Sequence, residues 1–411
     1  MAVTLKRIDE ILLMKICIAL LVFYNFWWIR IFGENSIIHW GLFLLLFLLS
    51  LKSFGTRVFI DREKKENRFL LLFVVITSLT SLIIASDYSN AFKSIFDMLE
   101  YAIIFCIVVS VSSRTRSVQW ALTIMVIVCA ICAITALIQS ITFNERLVLG
   151  NTGNSNDLGI KMVYASACAL LSKYRKRKSL LITISLLLLF AYVILKTGSR
   201  KSLIMIIVVF CLWIVLCVPS LLKAEYKRSV LIVTPFVLGL IIAACFLFVP
   251  AFRDSRVYVR LLYLEEGVDD RLSLYKEAWG MFVDHPIFGV GINNFRNYSS
   301  TGLYSHSLFA ETLSCTGIVG SILFLLFYLR YFTDFIRLFK QRNQVSKYVK
   351  GALLIFLIVV LFFSFSVILY YDFASMMFLG IICCVLCVIN DHGGLPEWEE
   401  ELSENSVLED F

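Results

Sequence analysis

Membrane-length runs of apolar residues recur along almost the whole chain, and they limit its possible folds more than any other feature. A helix needs roughly 20 apolar residues to cross a bilayer, where no water is present to bond exposed backbone groups. Runs of about that length lie near residues 11–29, 36–51, 69–86, 94–112, 118–142, 158–172, 179–196, 202–222, 229–252, 307–329, 350–370 and 373–390. This pattern predicts an all-α integral membrane protein with about 12 transmembrane helices.

The composition excludes several functional classes. The chain has 411 residues, of which 60% are hydrophobic and 17% charged, so it is too apolar for a water-soluble enzyme or a nucleic-acid-binding protein. The cysteines lie within or beside apolar segments, which predicts core residues and neither disulfides nor metal ligands. The short basic loops hold no Walker A pattern, which disfavours a nucleotide-activated donor taken from the cytosol.

The charges of the loops predict a topology. Alternate loops differ about twofold in Lys and Arg, which places both termini in the cytoplasm and the long polar loop outside. The acidic tail has no Lys or Arg and is predicted to be disordered. The predicted regions are spans one to nine (1–252), an external catalytic loop (253–306), spans ten to twelve (307–390) and a cytoplasmic tail (391–411).

The long loop is predicted to contain an amphipathic interfacial helix. Asp269 or Asp270 is placed to cap it, and it is expected to end at about Asp284, before a proline. Arg271 falls in the first turn, where a cation opposes the helix dipole, so capping does not explain it. One apolar stripe, expected to lie along the membrane surface, has the helical spacing of Leu272, Tyr275, Trp279 and Phe282.

Two shorter external loops also carry polar motifs. LGNTGNSND, residues 149–157, contains Asn154 and Asn156 and is either a turn that caps the next helix or a polar surface for a ligand. KTGSRKS, residues 196–202, contains Arg200 and Lys201 on the side where topology disfavours cations. These cations either extend towards lipid headgroups or bind an anion such as phosphate.

His306 is the candidate base. It follows GVGINNF, residues 289–295, which reads as a flexible glycine turn containing Asn294. An interfacial histidine is often structural, but arginines nearby would lower its pKa and keep the neutral imidazole available as a base. Glu311 enters the next span one helical turn later.

Taken in order, these motifs resemble the O-antigen ligase and Wzy polymerase superfamily of bacterial polysaccharide assembly. The resemblance is carried by GNTGNSND, TGSR, DDRLSLYKEAWGMFVDHPIFGVGINNF and SHSLFAETLSCTGIVG, all between about residues 149 and 320. It implies a GT-C-like, inverting glycosyltransferase of the bacterial inner membrane that works outside the cytoplasm without a metal or other cofactor. The implied donor is a glycan linked to undecaprenyl diphosphate.

The resemblance also implies roles for residues and partners. Arg200 and Arg271 are similar to arginines that hold the donor diphosphate, and His306 corresponds to the proposed general base. Ser307 stands where the family often has Asn. The implied partners are membrane lipids, a glycan or lipid A core acceptor and a chain-length regulator, with no nucleic acid. The candidate substrate-binding residues are Asn154, Asn156, Lys201, Asn294 and Glu311.

Two alternatives stay open beside a repeat-unit polymerase. A ligase would share the donor chemistry and transfer the glycan to the lipid A core, and no residue decides the acceptor. A transporter or flippase of lipid-linked sugars would carry mid-membrane ionisable residues and interrupted helices in paired halves. Here residues such as Lys161 and Glu311 lie mostly towards span ends, which disfavours transport.

Overall fold

Helices are the regular elements throughout the part of the chain that the structure describes. The computed structural model describes residues 2–59, 65–140, 146–150, 153–171, 177–217, 219, 268–340, 345 and 347–392. The helices are α1 (Ala2–Phe23, continued by Tyr24–Trp28 and Ile29–Phe32), α2 (Ser36–Phe54), α3 (Lys65–Ile84), α4 (Tyr88–Thr115), α5 (Gln119–Gln139), α6 (Ser155–Leu171), α7 (Arg177–Thr197), α8 (Arg200–Leu212), α9 (Val268–Asp284), α10 (Phe295–Tyr298), α11 (Leu308–Lys340), α12 (Lys347–Ser364) and α13 (Phe373–His392).

The described residues form a multi-pass membrane protein. Among them, 9 helices are long and apolar enough to cross a bilayer. Two further predicted spans coincide with α6, which has 17 residues, and with α7, whose described apolar part is Ile182–Thr197. The predicted span at 229–252 and most of the predicted tail lie outside the described residues.

The centre of the bundle is α13. In its apolar window, Phe373–Asn390, 89% of the residues are buried. Phe378 of α13 stacks on Tyr164 of α6 with the ring centroids 4.3 Å apart. The cysteines that the structure describes are free thiols and most of them are buried, as expected for core residues.

Helix α11 is broken at Gly317, where the backbone turns to φ 59°, ψ −160°. The break receives the loop that follows α9, and Cβ atoms built on Gly289 and Gly317 would each lie within 2.5 Å of backbone atoms of the other segment. The loop glycines therefore permit a close backbone approach, so the expectation of a flexible turn is wrong. Backbone hydrogen bonds join the segments: Val290 N to Ser314 O (2.9 Å), Gly291 N to Cys315 O (2.9 Å), Ile318 N to Pro286 O (2.9 Å) and Val319 N to Ile287 O (3.2 Å).

An interrupted helix is a feature expected of the transporter class. Here the freed backbone groups of α11 bond to a loop of the same chain, as irregular backbone at a membrane protein's interior requires. The break therefore builds a fixed junction between α11 and the loop that precedes the histidine.

We predict that replacing Gly289 with Ala destabilises this junction. The new Cβ would lie 2.4 Å from the Cys315 carbonyl carbon, at a backbone φ of 72°. The expected cost is about 2 kcal/mol or more, measured by thermal unfolding in detergent. Gly280→Ala is the matched control, because a Cβ there meets no atom within 4 Å and a helical Gly→Ala change gains about 0.5–1 kcal/mol. Equal unfolding temperatures for the two variants would contradict the close packing.

The loop helix α9 ends at Asp284, as predicted. It begins at Val268, so Asp269 and Asp270 lie inside its first turn and neither is the residue before the helix. The face of α9 turned to α11 is Leu274, Ala278 and Met281, all buried. The predicted apolar stripe lies elsewhere on the helix, with Leu272 50% and Trp279 60% exposed.

The connection between the last two helices passes beside the start of α11. Helix α12 ends at Ser364, and the connection contains a 3-10 turn at Leu369–Tyr371. Tyr370 is buried, and its hydroxyl lies 3.3 Å from Thr312 Oγ1 of α11. Tyr370 of this connection therefore packs against α11 close to His306 in the chain.

Candidate active site

His306 lies in a short turn immediately before α11. Its backbone has φ 55°, a left-handed conformation that is uncommon for a residue with a side chain. Ser307 caps the helix, with its hydroxyl oxygen 3.5 Å from the Ala310 N–H. In this sequence, the residue that replaces the family's common Asn thus serves as a helix cap.

Glu311 holds this turn from inside the protein. Its side chain is 0% exposed, and Oε2 accepts a 2.9 Å hydrogen bond from the Ser305 N–H. Oε1 accepts a longer contact from Cys315 Sγ at 3.6 Å. Ser305 Oγ in turn donates to the Ser307 carbonyl oxygen at 3.0 Å. These internal contacts fix the backbone on both sides of His306, which favours positioning of the histidine as the role of Glu311.

The surroundings of His306 keep its imidazole neutral. Burial lowers the pKa of His306, and the positive charges of Lys201, Arg271 and Arg296 lower it further, to about 4. These cations come from α8, α9 and α10, which are far apart in the chain. A half-buried histidine that is unprotonated at neutral pH can accept a proton from a hydroxyl.

The cations of the TGSRKS motif lie at the beginning of α8. Arg200 is the first residue of this helix and is half-buried. Lys201 follows it, and its Nζ lies 3.4 Å from the Ser366 carbonyl oxygen in the α12–α13 connection. Lys201 also lies in electrostatic range of Arg271, Asp157 and Asp372. The structure thus brings Lys201, Arg271 and His306 together, with Arg200 next to Lys201 in the chain.

Arg146 joins the asparagine-rich loop to the TGSRKS connection. Its Nε donates to the Thr197 carbonyl oxygen at 2.9 Å, and its NH2 group donates to Asn156 Oδ1 at 3.1 Å. Asn154 precedes α6, and its Oδ1 accepts from the Asn156 N–H at 2.8 Å, a helix-capping bond. The sequence did not distinguish Arg146 from other loop cations, because its two partners lie in two different helices, at the start of α6 and at the end of α7.

A partly buried cluster of charged residues continues the site into the bundle. Asp157 Oδ2 lies 3.2 Å from Arg30 NH2 and 2.8 Å from Lys161 Nζ. Lys161 Nζ is also 4.8 Å from the centroid of the Phe26 ring. Lys161 is the buried member of the cluster, and a buried charge persists when it is paired in this way. Asp157 belongs to the motif noted in the sequence, whereas its partners were not expected to contact it.

Asn294 fixes the GVGINNF loop to the α3–α4 connection. The residue is 0% exposed, and its Oδ1 accepts from Asp87 N at 2.9 Å and from Ser86 Oγ at 3.1 Å. Its Nδ2 donates to the Ile292 carbonyl oxygen at 2.9 Å. The predicted substrate role of this amide stays a prediction, and the contacts that the structure describes favour a role in holding the loop.

Arg296 and Tyr304 are site residues that sequence reasoning missed. Arg296 Cζ lies 5.2 Å from the Tyr304 ring centroid, and the Tyr304 and His306 rings are 4.0 Å apart. Arg296 directly follows GVGINNF, which was the one available signal. Nothing in the sequence placed its side chain next to the histidine.

Part of the chain matches a known family. The segment from α7 to the middle of α11 matches the family described as O-antigen ligase, Wzy_C. The match covers residues 184–325, a segment named the O-antigen ligase domain for its similarity to that family. The resemblance found in the motifs is therefore confirmed. No curated protein matches the chain significantly.

The O-antigen ligase domain contains all three candidate catalytic residues, Arg200, Arg271 and His306. Asn154 and Asn156 lie before its start. Members of this family are membrane enzymes of glycan transfer, so lipid-linked glycan and acceptor substrates follow in general terms. Arg30 and Asp157, which form an ion pair, both lie before residue 184.

Proposed function

We propose that this protein is a polymerase of polysaccharide repeat units, an inverting membrane glycosyltransferase that uses glycan linked to undecaprenyl diphosphate. The observation that carries the proposal is the gathering of cations from separate elements around one neutral histidine, inside an O-antigen ligase domain. The polymer would be O-antigen, capsule or exopolysaccharide. We further propose that both termini are cytoplasmic and that residues 253–306 face the periplasm or the cell exterior.

The donor diphosphate would bind at the beginnings of α8 and α9. Arg200 and Lys201 open α8, and Arg271 lies in the first turn of α9. Cations at helix N-termini oppose the helix dipole, and a bound diphosphate would remove this repulsion. As the anomeric bond breaks, negative charge grows on the leaving diphosphate, and the guanidinium groups would stabilise it without a metal.

His306 would act as the general base towards the acceptor. The acceptor hydroxyl attacks the anomeric carbon on the face opposite the leaving diphosphate, so the configuration inverts. The proton of that hydroxyl passes to the neutral imidazole, the carbon–oxygen bond to the acceptor forms, and the bond to the diphosphate breaks. The turn fixed by Glu311 supports this role, because it holds the imidazole in one place.

The exposed stripe of α9 supports a position at the membrane surface. Leu272 and Trp279 are about as exposed as polar surface residues, although both are apolar. A Trp at the headgroup level is common in membrane proteins. An interfacial α9 would place Arg271 at the depth where the diphosphate of a lipid carrier lies.

A second candidate is an O-antigen ligase that transfers the glycan to the lipid A core. The description of the matching family favours it. Both enzymes would use the same donor site, and they differ in the acceptor. To separate them, purified protein is given a lipid-linked repeat with and without a lipid A core. A ladder of products formed without the core supports the polymerase, and a single adduct that requires the core supports the ligase. The absence of any product would contradict both.

We predict a difference between the pH profiles of kcat/KM and kcat. In the free enzyme His306 has its pKa lowered to about 4, so kcat/KM should be lost only as the pH falls towards that value. A bound diphosphate offsets the charges of Lys201 and Arg271, raises the pKa of His306, and should move the acid limb of kcat to higher pH. Identical acid limbs in initial-rate measurements would contradict a donor site beside the histidine.

A further inference from the structure

Arg296 and Tyr304 lie beside His306, and the proposed transfer mechanism assigns no role to either residue. The Arg296 Cζ lies 5.2 Å from the centroid of the Tyr304 ring, and the centroids of the Tyr304 and His306 rings are 4.0 Å apart, with the ring planes inclined at 45°. These three side chains are called the column. A cation over the face of a tyrosine is attracted by the ring, so Arg296 favours one orientation of Tyr304.

The backbone around Arg296 is held firmly. Phe295, the residue before it, is 0% exposed and packs with Leu274 and Met281 of α9. Asn294 bonds to the α3–α4 connection, and Asn297 Nδ2 donates to Asn294 Oδ1 at 3.1 Å. Arg296 itself is exposed. Within the described ranges, it forms no ion pair with a carboxylate, so its charge is not offset by a direct partner.

We propose that Arg296 is a positioning residue for the base, which holds the Tyr304 ring against the His306 imidazole and also places its own charge close to that imidazole. The catalytic part of this inference rests on the proposed function, whereas the contacts of the column do not depend on that function. Tyr304 transmits position, because its ring is the surface on which the imidazole packs.

The charged groups around the column come from each element packed on it. Lys201 of α8, Arg271 of α9 and Arg296 of α10 act on the imidazole. The carboxyl groups of Glu311 in α11 and of Asp372 in the α12–α13 connection act on Tyr304. Burial raises the pKa of Tyr304 and the charge of Arg296 opposes that rise, so the tyrosine stays a neutral ring near pH 7. Removal of Arg296 leaves two cations near His306, so the pKa of His306 should rise towards the ordinary value for histidine.

The test measures the protonation of His306 directly. Full-length protein in detergent is modified with diethyl pyrocarbonate, which reacts with neutral imidazole. Modification of His306 is followed by mass spectrometry between pH 3.5 and 8. This range extends about half a unit below the expected midpoint. In Arg296→Ala, the midpoint should move upward by about half a pH unit. Tyr304→Ala should also move the midpoint upward. The imidazole then becomes more exposed to water, and Arg296 loses the ring that it packs on.

Three variants act as controls. Arg296→Lys keeps the charge and Tyr304→Phe keeps the ring, so both should stay close to the wild-type midpoint. Lys276→Ala removes an exposed cation of α9 that does not act on His306, and it should leave the midpoint unchanged. Unchanged midpoints in Arg296→Ala would overturn the proposal. A shift in Arg296→Ala without one in Tyr304→Ala would overturn the column, since the charge would then act without the tyrosine.

Transfer rates supply the functional half of the test. Arg296→Ala should lose kcat/KM at pH 4 relative to pH 8 by about twofold more than the wild type, because a larger share of the base is protonated at pH 4. A preparation whose wild type transfers no glycan would count against the proposed function. The modification profile would still decide whether the column controls His306.

Discussion

Replacement of His306 by Asn is expected to lower glycan transfer by a factor on the order of 10² to 10⁴, with the protein still folded and inserted. The loss follows from the missing base, because no other neutral imidazole lies in this cluster within the described residues. The measurement is the initial rate of transfer from a lipid-linked donor.

Asn is a sharper replacement than Ala at this position. The backbone of His306 has φ 55°, which Asn adopts far more readily than Ala. An Ala variant would therefore add backbone strain to the loss of the imidazole. His285→Asn is the matched control, since His285 is an exposed histidine directly after α9 and does not act on His306. Normal rates and polymer lengths from His306→Asn would contradict the assignment of the base.

Loss of the donor arginines is the second large effect expected. Each charge-assisted hydrogen bond to a diphosphate is worth about 1.5–3 kcal/mol, so Arg271→Ala and Arg200→Ala should each lower kcat/KM about tenfold to hundredfold. The KM for the donor should rise, and the KM for the acceptor should stay near that of the wild type. The readout is kcat/KM from initial rates at varied donor concentration.

Lys276→Ala provides the comparison for Arg271, because both are exposed cations of α9. Only Arg271 acts electrostatically on Lys201 and His306. Arg271→Lys should recover part of the loss, since a lysine keeps the charge but cannot bind two oxygens in a fork. Equal kcat/KM values for the donor in Arg271→Ala, Lys276→Ala and the wild type would contradict a role for Arg271 in donor binding.

The sequence predicted the fold class and the end of the loop helix because both depend on local signals. Apolar runs of membrane length are local, and Pro286 stops α9 at the expected residue. The TGSR connection between two helices was equally local, since a glycine and a serine between apolar runs leave little alternative.

Other features depend on contacts between distant residues, which one sequence does not contain. The glycines after α9 read as a flexible turn because nothing showed that they pack against the break at Gly317. Asn294 was assigned to the substrate on motif grounds, whereas its amide bonds to Ser86 and Asp87, more than 200 residues away. Arg296 was one more loop cation until its position over Tyr304 was known.

The most direct test of the central claim is the release of undecaprenyl diphosphate by purified protein in a buffer containing EDTA. Arginines that bind the diphosphate and a neutral His306 predict release at the same rate with EDTA and with added Mg²⁺. Release that requires Mg²⁺ would contradict the account and would direct attention to the carboxylates Glu265, Glu266, Asp269 and Asp270.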